Sequence, residues 1–301
     1  MSKRYSVKEV KQIEKYISKW LGYKEIAKKS WLTDYLAKDA VRKWENWTLV
    51  PVRPPKILLL DIETAPLEVY TWGLWDQQIS IDQIKEDWFM LCWSAKWLFD
   101  SKVYSDTLTP SEALKKDDSR ISKSIWKMVD EADIIIAHNW DSFDIKKMNV
   151  RFIKHWMLMP SPYITIDTLK VAKKVFKMTS NKLNYLCRFL WLNVKVDTGW
   201  FELWRKCILW DKKSLRLMSE YCDNDVKILE DLYMKLRPYI NNHPNLNLYS
   251  SSEDWVCRNC WSEKIKWWKI YHTSHSHYKA GQCQECWAWV RKEVINTSKI
   301  K

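Results

Sequence analysis

The chain has 301 residues, 29% charged and 47% apolar, the balance of a globular protein rather than a disordered or fibrous one. No uninterrupted apolar run is long enough to span a bilayer. The opening Met1-Ser2-Lys3-Arg4 leads into a mixed polar segment without a secretory signal region. A cytoplasmic protein with no membrane partner is therefore expected, in a host cytoplasm if the gene is viral. The net charge of +13 sits wholly in the flanks. Residues 1–54 carry 13 Lys/Arg against 6 Asp/Glu, residues 255–301 carry 9 against 3, and the middle is balanced. Basic flanks around a neutral centre suit a polyanion held at both ends, although such charge also serves solubility.

In chain order, Val7, Val10, Ile13 and Ile17 recur at helical spacing. Tyr23 to Ser30 and about Asp34 to Trp44 read as two further helices, with Ala27 at their crossing and Trp31 at the turn. Residues 1–50 are thus expected to form a helical module, either a DNA-binding helix-turn-helix or a small cap. Lys38, Arg42 and Lys43 would face phosphate or groove. Pro51, Pro54 and Pro55 make a stiff linker. Lys56 to Ile62 (KILLLDI) reads as a fully buried strand. Phe89–Leu98, Lys102–Tyr104, Asp133–Ala137 and Ile164–Ile166 read as further strands. Ser122–Glu131, Phe143–His155 and about Lys212–Leu236 read as helices. The alternation predicts an α/β core. Residues 241–254 read as a polar linker.

Acidic residues punctuate this pattern in three places. Asp61 and Glu63 end the first buried strand, two apart and so on one face. Side by side they repel unless a cation lies between them, and carboxylate oxygen is what Mg2+ and Mn2+ prefer. The second element, His138-Asn139-Trp140-Asp141-Ser142-Phe143-Asp144, follows a buried strand and opens a helix. The third, Tyr221-Cys222-Asp223-Asn224-Asp225, lies inside the last long helix, where Tyr221 and Asp225 share a face. Asp141 and Asp223 read as helix-start and surface acids.

Taken together, D-x-E, H-N-x-x-x-F-D and Y-x-x-x-D resemble the three motifs of the DEDD (DnaQ-like) 3′–5′ exonuclease superfamily, in its tyrosine branch. The set is similar to the exonuclease domain of family B DNA polymerases and its stand-alone relatives. Ile166-Asp167-Thr168-Leu169 and Asn181-Lys182-Leu183 also resemble connecting segments of that family. The resemblance covers about residues 57–240. It implies a ribonuclease H-like mixed sheet flanked by helices. It also implies two divalent ions, Mg2+ or Mn2+, held by Asp61, Glu63, Asp144 and Asp225. Tyr221 would orient the attacking water, and Asn139 would position the substrate strand. The implied activity is hydrolysis of phosphodiester bonds at the 3′ end of nucleic acid. Single-stranded DNA is the first expectation, the sequence itself does not separate DNA from RNA, and replication or repair proteins are the expected partners. The chain departs from the family at Trp140, where relatives carry Gly; an indole there would narrow the substrate cleft. Two other readings stay open: a transposase- or resolvase-like nuclease, and a non-catalytic DNA-binding regulator on a nuclease fold.

Cys257-x-x-Cys260 and Cys283-x-x-Cys286 are 22 residues apart, the spacing of a structural Zn2+ site with four thiolates. A zinc ribbon over residues 255–294 is expected, its hairpin formed by Lys264–His272 and Ser276–Gln282. His272, His275 and His277 would face solvent, and Lys264, Lys266, Lys269 and Lys279 would form a basic surface. Cys92, Cys187, Cys207 and Cys222 read as unbridged thiols.

The chain contains 22 Trp and only 4 Gly, against a usual glycine share of roughly 7%. Trp31, Trp140, Trp191, Trp261 and Trp287 stand where the backbone chemistry favours glycine. Some genetic codes read UGA as glycine, and a table assigning it to tryptophan would write Trp there. Trp72, Trp75, Trp88, Trp93, Trp97 and Trp204 read as genuine. The alternative is a chain that is tryptophan-rich throughout.

Overall fold

The apolar run at 57–62 becomes β1 (Ile57–Thr64), the central strand of a five-stranded sheet in a computed structural model of the chain. The structure describes residues 5–19, 21–46, 51–140, 143–194, 201–249, 256–274 and 277–293; Asp141 and His275 lie outside them. The other strands are β2 (Met90–Trp97), β3 (Val103–Thr107), β4 (Ile134–Ala137) and β5 (Ile164–Asp167), in the order β3-β2-β1-β4-β5. The β3-β2-β1 half is antiparallel, and β4 and β5 run parallel to β1. Helices Ser119–Glu131 and Asp144–Lys154 make the connections into β4 and β5, as parallel neighbours require. Leu58, Leu59, Leu60 and Ile134 to Ile136 are fully buried, so both faces of the central strands are covered.

Two features of this sheet position the acids. The pairing of β1 with β4 covers only Ile57, Leu58 and Leu59. Asp61 and Glu63 therefore run past it, at the carboxyl end where the sheet changes direction, the place where open α/β sheets bind ligands. The helix Lys212–Leu236 is docked on β2 by polar pairs at strand and helix spacing. Ser94 Oγ donates to Asp223 Oδ1 at 2.6 Å, and Lys96 pairs with Glu230. Asp223 is thus a partly buried docking residue rather than the surface acid expected, because its helix face turns toward the sheet.

Asp118 locks the other side. It is fully buried and accepts from Met90 N at 2.8 Å, from Arg151 Nη2 at 2.5 Å and pairs with His155 Nε2 at 2.6 Å. One carboxylate thereby joins β2 to the helix that begins at Asp144.

The chain divides into two compact units, residues 56–243 and residues 1–55 with 244–301. In the flanking unit, helices Val7–Ile17, Tyr23–Ser30 and Asp34–Glu45 bury Val10, Ile13, Ile26, Ala27, Ala37 and Ala40 in a core of their own. Ser6 and Glu9 form a capping box on the first helix, and Thr33 caps the third. Arg42 and Lys43 are both paired with Asp39. Pro51-Val52 is not simply linker, since it pairs with Tyr5-Ser6. Strands Ile265–His272, His277–Cys283 and Trp289–Glu293 make a three-stranded antiparallel sheet, one strand more than the expected hairpin. Part of the expected 241–254 linker is also ordered: Leu246 is buried, and its N–H donates to Arg258 O at 2.8 Å.

Replacing Asp118 by Ala leaves the Arg151 guanidinium buried beside an empty site. The substitution is expected to cost about 3–5 kcal/mol, read as a fall in the denaturation midpoint, whereas Asp→Ala at exposed Asp82 should stay within about 0.5 kcal/mol of wild type.

Candidate active site

Asp61 and Glu63 lie opposite Ser94 and Cys92 of β2. Asp225 reaches the same place from the Lys212–Leu236 helix, and carboxylate oxygens of the three lie within 4.8 Å of one another. Asp225 is buried, and Asp61 and Glu63 are half-buried. Three carboxylates at that range, in a partly dry place, favour either proton uptake or a cation between them. An all-oxygen donor set of this kind fits a hard divalent ion such as Mg2+ or Mn2+.

Asp144 is the first residue of its helix and is buried. It stands beside this trio without forming part of the tightest group. Burial first, and then the charge of Asp61, push its carboxyl well above the usual carboxylate range, against hydrogen bonds from its own N–H and that of Ile62. A cation near Asp61 would relieve both effects. Tyr221 sits one turn before Asp225, half-buried, with its ring edge-on to Trp204 at 6.0 Å.

Cys222 occupies a place that sequence reasoning assigned only to an unbridged thiol. Its Sγ lies 3.5 Å from both the carbonyl oxygen and Oδ2 of Asp61. Burial pushes this thiol well above its usual range, so it stays a neutral donor packed under the carboxylate. Its neighbour Tyr221 marked the motif, but nothing in the sequence told which side of the helix Cys222 faces.

Asn139 adopts a left-handed backbone, φ 73°, a conformation that Asn tolerates better than most residues. Its N–H donates to Asp167 Oδ1 at 2.9 Å, and the same oxygen caps the helix Thr168–Val175 through Leu169 N at 2.9 Å. His138 completes the clasp, with Nδ1 2.9 Å from Thr168 Oγ1 and Nε2 2.9 Å from Asn181 O. Asp167, Thr168 and Asn181, in the segments at 166–169 and 181–183, therefore hold His138 and Asn139 in place. Asp167, Thr168 and His138 were not assigned a role from sequence, because the contacts join residues about 30 apart. A cleft of about 630 Å³ beside the loop is lined by His138, Asn139, Lys173, Ser180, Lys182 and Asn184, among others.

Trp140 differs from expectation. It is fully buried, edge-on to Tyr163 at 6.4 Å, and lies outside the left-handed region that Asn139 occupies. The indole fills the core under the loop and does not narrow the cleft.

In the flanking unit, Cys257, Cys260, Cys283 and Cys286 bring their sulfurs within 4.8 Å of one another. Cys257 Sγ is 3.6 Å from Cys286 Sγ, and Cys260 Sγ is 3.4 Å from Cys283 Sγ. Hydrogen bonds from Cys260 and Cys286 hold the Cys257 thiol far below its usual range. Each C-x-x-C turn is closed by the next N–H, Trp261 N to Cys257 O at 2.8 Å and Trp287 N to Cys283 O at 3.1 Å. Four converging thiols fit a tetrahedral structural ion. His272 and His277 stand apart as exposed cross-strand partners, their Nδ1 atoms 2.6 Å from each other.

No curated protein matches the chain. Residues 98–237 match the family model of the RNase H superfamily, a span that takes in Asp144, Tyr221 and Asp225 and begins after Asp61 and Glu63. That match, with the strand order β3-β2-β1-β4-β5 and its flanking helices, gives the sheet an RNase H-like α/β fold.

Proposed function

We propose that the chain is a metal-dependent 3′–5′ exonuclease acting on DNA. The observation that carries this reading is the convergence of Asp61, Glu63 and Asp225 at the open end of β1, with Asp144 adjoining and Tyr221 one turn away. Asp61, Glu63, Asp144 and Asp225 are the residues that would hold two divalent ions, which supply charge neutralisation at the scissile phosphate and a more acidic water. Tyr221 orients the attacking water through its hydroxyl. Asn139, held by Asp167, positions the terminal phosphate of the strand, and Lys173 and Lys182 offer cationic support along the cleft. The buried, neutral thiol of Cys222 packs against Asp61 and covers that side of its carboxylate.

The cysteine centre is proposed to hold one Zn2+ as the staple of a zinc ribbon, and residues 1–50 to bind DNA as a helix-turn-helix-like module. The basic balance of both flanks supports a nucleic-acid partner. Purified chain is expected to carry one zinc per molecule, measured by atomic emission. Cys257→Ser should lose it, together with the protease resistance of residues 256–293.

Digestion of 5′-labelled single-stranded DNA and RNA with Mg2+ or Mn2+ tests the activity. A ladder shortening from the 3′ end is expected, faster on DNA. It should fall by at least about 10²-fold in an Asp61→Ala/Glu63→Ala double mutant, the scale of losing one electrostatic stabiliser. Internal cuts would favour a transposase- or resolvase-like nuclease. Binding without cleavage in wild type would favour a regulator.

A further inference from the structure

Ten non-glycine residues among those described have a left-handed backbone, and six of them are tryptophan: Trp31, Trp156, Trp191, Trp210, Trp261 and Trp287, with φ between 50° and 68°. An L side chain is strained in this region, and glycine is its usual occupant. Tryptophan has no local hydrogen bond to offset the strain, unlike Asn or Asp. The described glycines do the reverse: Gly22, Gly73 and Gly281 all lie outside the left-handed region. Tryptophan is doing the conformational work of glycine in this chain.

The six positions have distinct local reasons. Trp156, Trp191 and Trp210 follow helices in Schellman geometry. Trp156 N donates to Ile153 O, and the next N–H, of Met157, reaches back to Phe152 O at 2.9 Å. The same double closure recurs as Leu192 N to Cys187 O at 2.9 Å and as Asp211 N to Lys206 O at 3.1 Å. This is the helix-end position where glycine is strongly enriched. Trp31 ends the helix Tyr23–Ser30 and turns the chain into the next. Trp261 and Trp287 close the two C-x-x-C turns.

Their side chains have no work to do. Trp31, Trp156 and Trp191 are 97%, 95% and 94% exposed, and none of the six indoles has a hydrogen-bond or ring partner among the described residues. A second population contrasts with them. Trp93 is buried and donates from Nε1 to Ile121 O at 2.9 Å. Trp126 donates to Leu158 O at 2.7 Å, and Lys147 Nζ lies 3.6 Å from the centre of the Trp88 ring. The two populations fit two codons. Trp and Gly together number 26 in 301 residues, 22 and 4, room for a glycine share of roughly 7% and a few genuine tryptophans besides.

We propose that residues 31, 156, 191, 210, 261 and 287 are glycine in the protein as its own host makes it, encoded by UGA in a code that reads UGA as glycine. Trp88, Trp93 and Trp126 are genuine tryptophans encoded by UGG. Trp156 and Trp210 enter on backbone geometry alone. Trp140, buried and outside the left-handed region, carries no such argument from its backbone.

Tandem mass spectrometry of the protein purified from the organism that encodes it decides the matter. Glycine is expected at the six positions and tryptophan at 88, 93 and 126; tryptophan at the six overturns the proposal. The physical reason has its own test in recombinant full-length chains loaded with zinc. Changing the six residues by Trp→Gly is expected to raise the melting temperature by about 5–10 °C, the scale set by relieving strain at several sites. Trp93→Gly should lower it. A six-glycine chain that melts no higher than the chain with tryptophan at all six positions shows that these residues carry no backbone strain.

Discussion

Three carboxylates held within 4.8 Å of one another at the end of a buried strand are the constraint around which the core is organised. Such an arrangement opposes folding unless something cationic compensates it, so the surrounding structure must hold it open. Apolar β1 anchors Asp61 and Glu63, and its pairing with β4 stops at Leu59, which leaves the acids accessible. Asp225 is brought in by a 25-residue helix fastened to β2 through Ser94–Asp223 and Lys96–Glu230. Asp144 arrives on a helix fixed through Arg151 and His155 to Asp118. The polar pairs of the core therefore hold in place the elements that carry the acids.

The flanking unit faces a different problem. Its C-terminal sheet has an exposed outer strand, Ile265–His272, and buries little beyond Cys257, Cys283, Cys286, Ala288 and Val290. A sheet with so small a core needs a covalent or metal staple. The four converging cysteines are the natural one, and the left-handed residues after each C-x-x-C pair set the turns that aim them.

Much of this was legible in the sequence because the signals are local. The apolar run at 57–62, the helical spacing of residues 7–17 and 212–236, and the C-x-x-C pairs each declare themselves within a few residues. Asp61 and Glu63 share a face by strand period, and Tyr221 and Asp225 by helix period. What was not legible depends on contacts far apart in the chain. The clasp of Asp167 on Asn139, the docking of Asp223 on Ser94 and the thiol of Cys222 against Asp61 join residues that are 28, 129 and 161 apart. The glycine-like backbone expected at Trp140 is absent for a related reason: its neighbour Asn139 supplies the left-handed turn, and residue 140 faces the core.

The most direct test of the central claim is Mn2+ binding to the zinc-loaded chain, followed by titration calorimetry and by loss of the free-ion resonance signal. Saturable binding is expected in wild type, competed by Mg2+, and weakened at least about tenfold, or 1.4 kcal/mol, in Asp225→Asn and in Asp61→Asn. If both variants bind Mn2+ as wild type does while remaining folded, the carboxylates do not form a cation site and the account fails.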